Sequence, residues 1–321
     1  MNDKFENIPI KVAVLLSIFP FISSQTCPRD FLYNDCCGEC GYSFPDNDQI
    51  RQAVGNFREN ATSATELYGA MNCWDVSLVT DLSQIFYEEA YYFAEDTLNQ
   101  PINCWDVSRA TDMFAMFATA ASFNQPLDSW DVSRVKDMRY MFFGAKSFDQ
   151  PLQSWDTGRV TNMASMFYNA TRFNQPLNSW DISNVEDMSA MFLAASDFNQ
   201  PLNNWAVNKV TNMRSMFYQA VMFDQPLDSW DVSSVTDMSW MLCGASNFNQ
   251  PLDGWNVSSV INMRSMFYNA EIFNQNLCKW FELEYQELPF VLFMFGGTDC
   301  ADTADPNFVT KKSFCGMCAS V

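Results

Sequence analysis

Between Trp74 and Leu277 the chain alternates two hydrophobic spacings on a fixed schedule. In the unit Trp130 to Ser154 and just before it, Leu127, Trp130 and Val132 are apolar, with Asp131 between the last two. A short period-2 stretch rich in strand-forming residues predicts a strand. Val135, Met138, Met141, Phe142 and Ala145 then follow at i, i+3, i+6, i+7 and i+10. That spacing predicts one face of a short helix, with Ser133 as its N-cap. Phe148, Gln150, Pro151 and Leu152 turn the chain back, and the proline ends any helix.

The pattern repeats. Trp105, Trp130, Trp155, Trp180, Trp205, Trp230, Trp255 and Trp280 are each 25 residues apart. Trp74 lies 31 residues before Trp105, the six extra residues falling around Glu88 to Thr97. About eight copies of W-D-V-S-x-V-T-[DN]-M-x-x-M-F-x-x-A-x-x-F-[ND]-Q-P-L-x-x fill the segment. A fixed period in this range predicts coils that cannot bury their faces alone and must stack. The expected fold is an α/β solenoid of the leucine-rich-repeat kind. A parallel β-sheet, its strands about 4.8 Å apart, would form one face, short helices the other, and disulfide-stapled caps the ends.

These units resemble the BspA-like leucine-rich-repeat surface proteins, whose unit reads WDVSxVTDMSxMFxxAxxFNQPL. The resemblance covers roughly Tyr68 to Leu277. It implies a leucine-rich-repeat-like solenoid on secreted or surface-displayed proteins associated with adhesion and interaction, and it carries over nothing catalytic. Asp46 to Phe57 looks like the family's lead-in, with Ile50, Ala53, Val54 and Phe57 on one helical face to cover the open edge of the first coil. The chain departs from the pattern at the six-residue insertion, at Ala206 and Asn256 in the Asp position, and at Leu242-Cys243. The expected division is a signal peptide at 1–25, a Cys-rich N-terminal cap with its helix at 26–67, repeats at 68–277 and a Cys-rich C-terminal cap at 278–321.

Composition narrows the chemistry. The 321 residues carry 18 basic and 38 acidic side chains, a net charge of -20, which argues against sequence-independent nucleic-acid binding. No histidine is present, which removes His-based metal sites and every Ser-His or Cys-His nucleophile pair. Neither an enzyme nor a cofactor is expected. Lys11 followed by the apolar run Val12 to Ile22 reads as a secretory signal too short to span a bilayer, and the apolar run Leu288 to Gly296 is shorter still. No membrane span is expected.

Cys27, Cys36, Cys37, Cys40, Cys73 and Cys104 lie in the first third, Cys278, Cys300, Cys315 and Cys318 at the end, and Cys243 alone between them. Two stapled ends and one buried free thiol fit an oxidising compartment. Cys73 and Cys104 hold the same place before Trp74 and Trp105 and are expected to pair. Asn60, Asn169 and Asn256 open glycosylation sequons.

Three polar signals remain. Asp and Asn interchange before the first Met (Asp137, Asn162, Asp187) and after the Phe (Asn124, Asp149, Asn174), which predicts an acceptor for a backbone N–H. Asp106, Asp131, Asp156, Asp181 and Asp231 should point outward, and adjacent carboxylates about 5 Å apart repel by about 0.8 kcal/mol even in water. Arg109, Arg134 and Arg159 run beside them. This face is either solvated, with local contacts, or a surface for a cationic or polyhydroxyl ligand or divalent ions. Tyr168, Tyr218 and Tyr268 recur every 50 residues, either as packing or as an outer row that stacks on sugar rings. The leading functional expectation is a non-enzymatic secreted or cell-surface protein presenting this surface to an extracellular protein or glycan. The alternative is an acidic matrix protein that binds calcium or mineral through the Asp row.

Overall fold

The structure, a computed structural model, describes residues 41–87, 99–310 and 315. The expected signal peptide, the six-residue insertion, and Cys27, Cys36, Cys37, Cys40 and Cys318 lie outside them.

Helix α1 (Asn47–Glu59) starts where Asp46 accepts the Gln49 N–H at 2.9 Å. Helix α2 (Ala61–Tyr68) starts where Asn60 accepts the Ser63 N–H at 3.0 Å. Ile50, Ala53, Val54 and Phe57 are the buried face of α1, the four residues that the spacing selects.

The repeats overturn the α/β expectation. Among the described residues they contain neither a β-strand nor a helix, so the predicted sheet face and helix face are both absent. The coils nevertheless stack in register. Isolated parallel bridges join Asp81 to Asp112, Asp112 to Asp137, Asp137 to Asn162, and so on to Asn262 and Phe290.

The backbone hydrogen bonds give the reason. Met138, Tyr140, Phe142 and Gly144 donate to the carbonyls of Asn162, Ala164, Met166 and Tyr168 in the next coil, at 2.7–3.2 Å. The residues between them close tight turns, with Met141 donating to Met138, Phe143 to Tyr140 and Ala145 to Phe142. A helix would send every N–H to the fourth preceding carbonyl, and here half of them leave the coil. Tyr140 (φ 58°) and Gly144 (φ 68°) are left-handed, which no right-handed helix accommodates. Linked three-residue turns bury i, i+3, i+6, i+7 and i+10 as well as a helix does, so the apolar spacing alone misleads. Ser133 accordingly caps no helix.

The predicted strand fails for a related reason. Trp130 and Val132 are buried and Asp131 is exposed, as alternation requires. The backbone here nonetheless closes turns, Trp130 N–H to Leu127 and Val135 N–H to Val132. The indole takes over the bridging: Trp155 donates Nε1–H to the Leu127 carbonyl and Trp180 to Leu152, both at 2.9 Å.

The core consists of rows. Trp155 and Trp180 lie parallel with centroids 6.2 Å apart, Phe142 and Phe167 at 5.5 Å, and Phe142 and Phe148 within one coil at 4.1 Å. The Met138/Met163/Met188 and Met141/Met166/Met191 rows are fully buried between them.

The ends close differently. Asn47 and Arg51 of α1 donate to the edge carbonyls of Asp81 and Ser83, so α1 caps the first coil with polar as well as apolar groups. At the far end, the apolar run Leu288 to Gly296 supplies a terminal rung: Met263, Ser265, Phe267 and Asn269 donate to Phe290, Leu292, Met294 and Gly296. A Cβ on Gly296 would lie 2.9 Å from the Tyr268 ring, which would have to shift to admit a larger residue. Cys300 and Cys315 form a disulfide, and Cys315 accepts the Leu277 N–H at 3.2 Å. Among the described residues, no helix is long and apolar enough to cross a membrane.

Candidate ligand-binding surface

Each repeated polar residue has a local task. Asp106, Asp131, Asp156, Asp181 and Asp231 each accept the N–H two residues on, at 2.9–3.1 Å, and Asn256 does the same at 3.2 Å. These are Asx-turns, which need an oxygen and not a charge. The Ser183 hydroxyl and N–H hold the Asp181 carboxyl below its usual range, and Ser233 does so for Asp231. The ion pairs seen among the described residues are Arg139–Asp137 and Lys279–Asp253, and neither involves Arg109, Arg134 or Arg159. Asp131, Asp156, Asp181 and Asp231 are exposed residues. No group of three or more Cys, Asp or Glu side chains is arranged to hold a metal ion among the described residues.

The two Asp/Asn ladders are the backbone acceptors that the interchange predicts. Before the first Met, Asp137, Asn162, Asp187 and Asn212 accept the N–H two residues on at 2.8–3.1 Å. Asp81, Asp112 and Asp137 run as three consecutive acids, and from Asn162 onward charge alternates with amide. Burial, and then the neighbouring Asp137 and Asp81, raise the Asp112 carboxyl above its usual range. Arg139 pairs with Asp137 where the run is densest. After the Phe, the side chain reaches the next coil: Asp149 accepts the Asn174 N–H at 3.0 Å and the Gln175 amide at 2.8 Å. This explains why Gln follows Asn or Asp in the motif.

The remaining row, Phe143, Tyr168, Leu193, Tyr218, Cys243 and Tyr268, has no such task. Phe143 and Tyr168, in adjacent coils, stack at 4.5 Å. The residue after each, from Gly144 and Asn169 to Gly244 and Asn269, is left-handed. Gly and Asn tolerate this conformation best, but every coil adopts it, so it does not account for the 50-residue alternation.

Cys243 is a free thiol with 7% exposure, as expected, and burial pushes its pKa up to about 11. It is small where its neighbours are large. A cleft of about 320 Å³ opens over it, lined by Tyr218, Tyr268, Trp240, Ser265 and Phe293. Trp240 is left-handed (φ 55°), and Arg214 and Arg264 lie over its ring at 4.9 and 5.4 Å. Beside the cleft runs a polar groove of about 500 Å³ bordered by Gln219, Gly244, Ser246, Asn269 and Glu271. The structure thus brings Tyr218 and Tyr268 to one site. Tyr168 lies further along the row, and the Asp and Arg candidates line neither hollow. Trp240, Arg214, Arg264 and Phe293 escaped the sequence reading. Trp240 was detectable as a bulky residue where most coils carry Ser or Ala, such as Ser165, Ala190, Ser215 and Ser265.

Cys73, Cys104 and Cys278 are disulfide-bonded, and peptide mapping decides which cysteine each one joins. Of the sequon residues, Asn60 and Asn256 are exposed and Asn169 is half-buried.

A family model described as "Mycoplasma protein of unknown function, DUF285" matches residues 54–176, 88–205, 128–225 and 195–300. No curated protein matches the chain. No solved structure matches it either.

Proposed function

This chain belongs to the DUF285 family, and we propose that it is a non-enzymatic binding protein of the BspA-like kind, secreted or displayed at a cell surface, whose ligand is a glycan. The observation that carries this reading is the slot over Cys243 between Tyr218 and Tyr268. Two coil advances separate those residues by about 9.6 Å, room for one ring-shaped group between two aromatic faces. Aromatic side chains present a flat apolar face with a polar tip, which suits the apolar face of a pyranose. The amides of Gln219 and Asn269 in the adjoining groove offer both donors and acceptors for hydroxyls. The two-coil period of the Tyr row suits an extended saccharide, since successive weak contacts add through avidity.

The test is binding of soluble protein to a panel of glycans, followed by Tyr218→Ala and Tyr268→Ala. Loss of binding in both, at an unchanged melting temperature, supports the reading. Absence of any glycan ligand, or equal binding by the variants, refutes it. The second reading, calcium or mineral bound by Asp131, Asp156, Asp181 and Asp231, rests on their exposure. It requires a melting temperature that rises with calcium and falls with chelator.

A further inference from the structure

From the first Met to the left-handed residue that closes the turns, the cross-coil backbone hydrogen bonds run one way, each coil donating N–H to the carbonyls of the next, while the bonds on either side of this segment run back, as from Thr161 to Lys136 and from Ser147 to Ala121. This segment therefore presents a carbonyl edge at its start and an N–H edge at its finish. The carbonyl edge is occupied, because Asn47 and Arg51 donate into it. The terminal rung continues the register. Met263 and Ser265 donate onward, so Val291 and Phe293 are the next donors in line. Among the described residues, the N–H groups of Val291 and Phe293 meet no acceptor. Apolar side chains flank them in the open: Phe290 is 51% and Phe293 53% exposed, and Leu288 and Leu292 are exposed as well. From Glu282 to Thr310 the chain carries Glu282, Glu284, Glu287, Asp299, Asp302 and Asp305 and no Lys or Arg. Asp305 reaches this rung, accepting the Met294 N–H at 3.1 Å.

We propose that this edge docks an extended, apolar, Lys- or Arg-bearing peptide segment of a partner protein, which adds one rung to the stack. Its carbonyls would accept from Val291 and Phe293, its apolar side chains would cover Phe290 and Phe293, and its cations would face Asp305 at the rung. Main-chain bonds supply affinity in this mode of recognition and alternate side chains supply specificity. A second copy of this chain is a poor occupant. Across this segment two N–H edges offer each other no acceptor, and the matching carbonyl edge of a second copy is held by its own α1.

The probe is a synthetic peptide of alternating valine and lysine, compared with its valine–glutamate counterpart, on the full chain. The valine–lysine peptide should bind saturably, at least tenfold more tightly than the glutamate peptide, and should slow hydrogen exchange at Val291 and Phe293. Phe293→Asn removes the ring and suits the left-handed backbone (φ 60°), so the variant should melt no lower than the parent. It should bind the lysine peptide at least tenfold more weakly. Equal binding of both peptides, no protection at the two amides, or undiminished binding by Phe293→Asn would overturn the proposal. So would a concentration-dependent dimer that Phe293→Asn abolishes.

Discussion

Trp180→Ala isolates what holds one coil to the next. Trp180 is 3% exposed, stacks parallel to Trp155 and lies 6.2 Å from Phe167. Its Nε1–H meets the Leu152 carbonyl at 2.9 Å in the preceding coil. Truncating a buried aromatic of this size costs about 3–5 kcal/mol in transfer and cavity terms. Trp180→Phe keeps most of the ring but removes one of the two bonds to the Leu152 carbonyl, which still accepts the Trp155 N–H at 3.2 Å, so the loss is that of a single hydrogen bond, about 0.5–1.5 kcal/mol. Urea unfolding followed by far-ultraviolet circular dichroism measures both. Repeat arrays are bound by nearest-neighbour interfaces, so a lesion in the middle should also split the transition. The alanine variant is expected to show a lower midpoint and a shallower slope than the parent, and the phenylalanine variant a smaller drop. An alanine variant that unfolds with the parent would refute the idea that the Trp row couples the coils.

Three further outcomes follow from the same geometry. Cys243 should resist alkylation in native protein near neutral pH and label fully once unfolded, with native labelling increasing as pH nears about 11. Because its folded pKa is raised from 9.0, its contribution to stability is whole below that value and is lost as pH climbs toward about 11, which thermal melts across that window check. Asp149→Asn should be nearly neutral because the acceptor survives, whereas Asp149→Ala strands the Asn174 N–H, leaves the Gln175 amide only the residue-149 carbonyl, and should cost about 1–3 kcal/mol by denaturant titration. Asn162→Asp would join Asp112 and Asp137 to Asp187 in an unbroken acidic run, so its melting temperature should fall at pH 7 and recover in high salt.

The sequence disclosed the coil but not its conformation. Period, register, buried rows and the capping face of α1 were all legible, because each is a statement about which residues avoid water. What failed was the translation of Val135, Met138, Met141, Phe142 and Ala145 into a helix. Burial periodicity near three is shared by helices and by linked turns, and only the destination of the N–H groups separates them. A clue was present in Gly144, Asn169, Gly244 and Asn269, residues that favour left-handed backbone, but it was mixed with Ala194 and Gln219, which do not. The Asp and Asn ladders were readable as acceptors, since interchange of the two side chains removes charge from the requirement. The cleft was only half visible. Tyr218, Tyr268 and Cys243 stood out by their spacing, whereas Trp240 and Phe293 enter it from other positions of the coil and from the terminal rung.

The same hydrogen-bond scheme separates what must stay fixed along this stack from what can vary. In each coil the Trp, Met and Phe rows fill the core, and the Asp or Asn oxygens tie the turns and the neighbouring coils together. Those positions recur because each answers to the coil before and after it. The side chains at Tyr168, Leu193, Tyr218, Cys243 and Tyr268 are tied to neither by a hydrogen bond, and nor are those at the left-handed position of Ser165, Ala190, Ser215, Trp240 and Ser265, where ring contacts such as Phe143 on Tyr168 are the cross-coil contacts. Their side chains vary from buried, as at Ser165 and Ser265, to exposed, as at Tyr268, and a change of side chain there removes no cross-coil hydrogen bond. Large and small residues placed there sculpt ridges and slots at intervals of one coil without touching the core. The slot over Cys243 is the product of one such choice, a thiol set between two tyrosines. Replacing Cys243 with Tyr would continue the aromatic ridge and close the slot. Binding that depends on the slot should then vanish while the coil stack, whose bonds lie elsewhere, keeps its melting temperature. Binding that survives Cys243→Tyr would place the ligand on another face.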